Sequence, residues 1–194
     1  MTLLRIVLPA AAAAVLVFTA PVPLPASGQN ANGLFEMPLL ITSAGQSPDV
    51  QLAVILAKRA GIDHTLSKVA AAGDLAGGAK SLAVVVGASL KGLGAAGIDT
   101  AKEKDRVKGL LAEAEKRNIP VLVMHLGGEQ RRGQLTDEMI AEVLPSAAWA
   151  LVLKSGNHDG LFTRICEEHG ISLVEIDKTA EGAEPLKSVF KPKD

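Results

Sequence analysis

Four stretches of the chain collect the residue types that could bind a ligand or do chemistry: Leu39–Asp49 (LLITSAGQSPD), Leu82–Asp99 (LAVVVGASLKGLGAAGID), Val121–Gly133 (VLVMHLGGEQRRG) and Ala150–Gly160 (ALVLKSGNHDG). In each, an apolar run gives way at once to glycines and polar side chains. An open parallel α/β sheet binds its ligands outside the carboxyl ends of its strands, where four such stretches would meet. The residues expected to contact a ligand there are Ser43, Gln46, Ser47, Lys91, His125, Glu129, Arg131, Lys154 and Asn157. His125 is the candidate acid/base.

The chemistry open to these residues is limited by their neighbours. Gly45-Gln46-Ser47-Pro48-Asp49 lies where a hydrolase nucleophile elbow would, at a strand-to-helix turn. An elbow needs a backbone N–H after its serine for the oxyanion hole, and Pro48 has none. Ser47 therefore reads as a helix cap, with the first-turn amides beyond it able to face an anion. Gly92, Gly94 and Gly97 match the spacing of a dinucleotide fingerprint, but that motif opens a helix directly. Here Ser89–Lys91 intervene and Thr100 reads as the next cap, so the segment is expected to be a loop closing over a ligand, and no cofactor is expected.

Arg131 and Arg132 stand beside Gly127 and Gly128, a combination suited to paired N–H donation to a carboxylate or phosphate. His125, His158, Glu129 and Asp159 lack the close spacing of a zinc site, so no metal is expected. Lys91, Arg131, Arg132 and Lys154 would give the edge a positive surplus if Asp49 and Asp159 serve as helix-start residues.

The elements that must position these groups alternate. Strands are expected at Leu39–Ala44, His64–Val69, Leu82–Gly87, Val121–Leu126, Ala150–Lys154 and Leu173–Ile176. Their near-continuous apolar character suits strands covered on both faces. Helices are expected at 49–60, 101–117, 137–144 and 160–169, with Thr100 and Glu103 as a capping box and Thr136 as a cap. Three of them leave through KRAGI, EKRNI and EEHGI, where Gly61, Asn118 or Gly170 can take the left-handed ending. The pattern predicts one three-layer α/β domain. Its parallel, flavodoxin-like (Rossmann-like) sheet has five to six strands in the order 2-1-3-4-5, with helices on both faces and Val84, Val85, Val123 and Val152 in its core. The switch point then falls between the first and third strands.

Composition narrows the function classes. Formal net charge is −1, which suggests neither nucleic acid nor an anionic membrane as partner. There is no tyrosine and one tryptophan, so base-stacking platforms are not expected. The lone Cys166 cannot form an internal disulfide, and its place on an apolar helix face makes it a buried thiol. One charge, Arg5, precedes a long uncharged run ending near Ala26, the layout of a secretory signal peptide. The expected organisation is a signal peptide at 1–26, a linker at 27–37, the α/β domain at 38–190 and a tail at 191–194, with no stable membrane insertion after cleavage.

With TSAGQSPD (Thr42–Asp49), KGLGAAGID (Lys91–Asp99), HLGGEQRRG (His125–Gly133) and KSGNHDG (Lys154–Gly160), the chain resembles a group of exported bacterial proteins, domain of unknown function 6305. The resemblance runs from about Pro38 to Phe190. It implies export and one small α/β domain, and it supplies no catalytic residues.

The functional expectation is a periplasmic or extracellular binding or accessory module for an anionic small molecule, a carboxylate or a phosphate. Two alternatives stand beside it. One is a hydrolase or lyase using His125 with Lys91 or Arg131. The other is an interaction subunit that contacts an exported protein partner.

Overall fold

Six parallel strands form one sheet in the order β2-β1-β3-β4-β5-β6. They are β1 (Leu39–Ala44), β2 (His64–Leu66), β3 (Ser81–Val86), β4 (Val121–His125), β5 (Trp149–Leu153) and β6 (Ser172–Ile176). The computed structural model describes residues 32–192, so the expected signal segment and its cleavage site lie outside the described residues. The expected flavodoxin-like order is observed.

Strand alternation divides the core in two. Leu40, Val84, Val86, Val123, Ala150 and Val152 point to one face, where α3 (Thr100–Lys116), α4 (Gln134–Val143) and α5 (Leu161–His169) cover them. Leu39, Ile41, Val85, Leu122, Met124 and Leu151 point to the other, under α1 (Val50–Arg59) and α6 (Ala183–Ser188). Val84, Val85, Val123 and Val152 are fully buried, as their apolar runs predict. Cys166 is buried as well, and desolvation pushes its thiol up to about 12, which leaves it unreactive at neutral pH. Among the described residues no helix is long and apolar enough to cross a membrane.

The exits from α1, α3 and α5 follow the expected form, with Gly61, Asn118 and Gly170 at φ +70°, +55° and +67°. Several starts differ. The segment expected as a loop closing over a ligand is a short helix, α2 (Leu90–Ala96), whose start is capped when the Ser89 hydroxyl accepts the Gly92 N–H. Asp99, not Thr100, caps α3 by accepting the Lys102 N–H. The capping box is absent because Glu103 turns inward and is buried. Helix α4 begins at Gln134, so Thr136 lies inside it and its hydroxyl accepts the Ala88 N–H instead. Phe35, in the stretch expected as a linker, is buried against Phe190 and belongs to the fold.

Candidate functional site

The turn after β1 is stitched to the turn after β3. Gly87 donates its N–H to Ala44, Ser47 donates to Gly87, and Ser89 donates to Gly45. Gly45 sits at φ +97°, and a Cβ there would lie 2.7 Å from the Gly87 carbonyl oxygen. Gln46 also adopts a left-handed φ, +58°, which is uncommon for a residue with a side chain. Its side-chain amide holds that position by donating to the Lys68 carbonyl and to Oε1 of Glu103.

Glu103 is the anchor of this turn. Its carboxylate accepts from the Gly45 N–H at 2.8 Å, from the Gln46 side chain at 2.9 Å and from Arg106 at 2.8 Å. Arg106 in turn donates to the carbonyls of Ser43 and Ala70. Burial pushes the Glu103 carboxyl up, but the bonds from Arg106, Gly45 and Gln46 outweigh it and hold the group below the ordinary carboxylate range. The signal for this pair was present in the sequence. Glu103 precedes Val107 by four residues and Leu110 by seven, so it lies on the buried stripe of α3, with Arg106 three residues on.

Beyond that turn, the Ser47 hydroxyl donates to Oδ2 of Asp49 at 2.6 Å and accepts the Asp49 N–H at 3.2 Å. Arg131 brings its Nε to 3.2 Å from the same oxygen. Gly127 makes room for both, since a Cβ there would lie 2.1 Å from Cγ of Arg131 and 2.3 Å from Oδ2 of Asp49. Ser47, Asp49 and Arg131 thus meet outside the ends of β1, β3 and β4.

The other expected site residues fall elsewhere. His125 is fully buried, with Nδ1 3.0 Å from the Val86 carbonyl and Nε2 3.1 Å from the Gly128 carbonyl. Its ring lies against Phe162, and a Cβ on Gly156 would come within 2.4 Å of it. A group so enclosed and bonded to backbone cannot reach a substrate, so the acid/base role expected of it is corrected to a structural one. Asn157 is buried and fixes the start of α5, donating to Thr163 and Glu175 and accepting the Phe162 N–H. Ser43 is buried too, and its hydroxyl has no hydrogen-bond partner among the described residues. Lys154 and Asp177 are paired only loosely, at 3.9 Å, both well exposed. Glu129 and Lys91 are exposed.

The expected positive surplus at this edge is corrected as well. Arg132 is paired with both Asp137 and Asp159, which hold its guanidinium above its ordinary range while Asp159 is held well below the usual carboxylate range. Asp49 pairs with Arg131. The carboxylates read as helix-start residues are the arginines' partners. Arg131 is 35% exposed, with no hydrogen bond from its Nη atoms among the described residues, and Lys91, Lys154 and Glu129 are exposed.

The His125 contacts carry a pH prediction. Both neighbours are acceptors, and a neutral imidazole has one N–H, so it can donate to only one of them. Burial lowers the ring's affinity for a proton, while the Val86 and Gly128 carbonyls and Asp49 oppose that and Arg132 adds to it. Burial prevails and the folded-state pKa lies below the ordinary value. The unfolded chain, with a histidine pKa of about 6.5, then binds more protons than the folded one. The contribution of neutral His125 is therefore full above that pH and is lost as pH falls through the folded value. Chemical denaturation between pH 7.5 and 5 is expected to show this loss in the parent chain and a flatter profile in His125→Asn. Equal slopes in the two would contradict it.

The model for domain of unknown function 6305 matches residues 36–190. The chain belongs to that family. The match covers the sheet, helices α1 to α6 and the cluster around Asp49, and it identifies the family anticipated from the four motif strings. No curated protein matches this member of the domain of unknown function 6305 family. Similar solved structures include a protein described as lipolytic and of the G-D-S-L family from Desulfitobacterium hafniense DCB-2. It is 12% identical, with a TM-score of 0.35, over 73% of this chain and 77% of that one. AlinE4, a SGNH-hydrolase family esterase, is 14% identical with a TM-score of 0.29, over 80% of this chain and 82% of that one.

Proposed function

We propose that this member of the domain of unknown function 6305 family is an exported binding or accessory module for an anionic small molecule. The observation that carries the reading is the position of Arg131. It stands beside the switch point of the sheet, partly exposed, and its Nη atoms make no hydrogen bond among the described residues. Lys91, exposed in α2, belongs to the segment that follows β3 and is the second cation of this reading. Support for export is the charge-poor start of the chain, with Arg5 its one charge before Glu36. Against the hydrolase or lyase alternative stands the burial of its acid/base candidate, His125, whose ring lies between the Val86 and Gly128 carbonyls. The interaction-subunit alternative retains one specific support: Leu90, the first residue of α2, is 75% exposed beside Lys91.

A thermal-shift screen of carboxylates and phosphate esters on the purified protein tests the reading. A guest at 100 times its dissociation constant stabilises by about 2.7 kcal/mol, several degrees for a chain of this size. Anionic hits that vanish in both Arg131→Ala and Lys91→Ala are the expected result. Hits confined to neutral or cationic compounds, or anionic hits indifferent to both substitutions, would refute it. A screen with no hits would favour the interaction subunit.

A further inference from the structure

We propose that Asp49 is a built-in competitor at this site: its carboxylate occupies the place of the guest anion, which binds by displacing it from Arg131. The inference rests on the anion-binding reading above.

An open parallel sheet receives its ligand in the crevice where connections diverge, here between β1 and β3. Oδ2 of Asp49 stands at that crevice. The Ser47 hydroxyl donates to it at 2.6 Å and Nε of Arg131 approaches to 3.2 Å. The backbone borders it closely on two further sides, since a Cβ on Gly127 would lie 2.3 Å away and one on Gly87 3.6 Å. A hydroxyl donor, a guanidinium and two side-chain-free backbones make a receptor for an oxyanion. In this structure the oxyanion is the protein's own.

Asp49 is also free to leave. Its side chain makes no capping bond to α1, so swinging out breaks no helix contact. At 13% exposure it lies near solvent, and Arg131 at 35% is open to an incoming group. Occupancy by Asp49 lowers the apparent affinity of any guest by the fraction of time the site is closed. Weakly held monodentate anions are thereby excluded, and guests that engage Nε and one Nη of Arg131 with two oxygens are favoured.

The test uses inorganic sulfate, whose charge does not change near neutral pH, titrated into the protein at constant ionic strength. The readout is the amide NMR shifts of Gly127, Gly128 and Arg131. Asp49→Asn retains an acceptor for Ser47 and removes the competing charge, so sulfate affinity is expected to rise at least tenfold over the parent chain. Arg131→Ala is expected to abolish saturable binding. Asp49→Ser, a second neutral variant, is expected to repeat the gain and serves if Asp49→Asn fails to fold. Equal affinity in parent and neutral variants, with loss in Arg131→Ala, would overturn the competitor while leaving the anion site standing. Absence of saturable shifts in all of them would overturn both.

Discussion

Glu103→Ala is expected to destabilise the protein by about 3–5 kcal/mol, the usual cost of removing one partner from a buried ion pair. The loss is large because three groups depend on the carboxylate. Arg106, with a side chain 12% exposed, would retain a charge without its counterion. The Gly45 N–H and the Gln46 side-chain amide would lose their acceptor, and Gln46 would lose part of what holds it at φ +58°. A drop of about 6–20 °C in the thermal midpoint follows for a chain of this size. Glu103→Gln, which keeps one acceptor oxygen, is expected to fall between. The pH dependence has a definite sign. A carboxyl held below its ordinary value stabilises the fold above that value and loses the contribution as pH falls through the folded one, so acid should narrow the gap between parent and Glu103→Ala. A midpoint change under 2 °C at neutral pH would contradict the assignment of this pair as the anchor of the β1 turn.

Gly92→Ala should destabilise by about 2 kcal/mol although it places the best helix former inside a helix. Propensity alone favours alanine by about 1 kcal/mol. Against that, the added Cβ would lie 2.0 Å from the carbonyl oxygen of Gln46. No rotamer change relieves a clash with backbone, and that backbone is already pinned by the side-chain bonds to Lys68 and Glu103. Overpacking costs of 1–3 kcal/mol are typical where the neighbour can adjust, and here it cannot adjust freely. Gly94, two residues along the same helix, is the internal control. A Cβ there meets nothing within 4 Å, so Gly94→Ala should stabilise by up to about 1 kcal/mol. Urea denaturation of the two variants separates the effects, and the same sign for both would show that packing on Gln46 is not what requires Gly92.

Glu103 and Gly92 have roles that differ from their sequence readings, and the difference has a common cause. Glu103 looked like the closing member of a capping box, and Gly92 like part of a mobile loop. Both readings use contacts within a few residues. The partners that decide them, Gly45 and Gln46, lie 58 and 57 residues from Glu103 and are brought to it only by the pairing of β1 with β3.

The sequence by itself determined the architecture. Apolar runs such as Leu82–Val86 can be satisfied only as strands covered on both faces, and glycine or asparagine at the helix ends permits the left-handed exit that leads into the next strand. Strand order followed from that alternation, as did the edge on which the glycine-rich stretches gather. Only the tertiary structure decided what those stretches do. Charge counting treated Arg131, Arg132, Asp49 and Asp159 as separate groups, whereas folding pairs Arg131 with Asp49 and Arg132 with Asp159. His125 was legible as a strand-end histidine, but its burial depends on Phe162, Gly156 and Gly128, which come from other elements and the following turn. Periodicity reports which way a side chain faces along its own element. Which partner it meets is fixed by elements distant in the chain, and at this edge the partner determines whether a charged group is free to bind or already held.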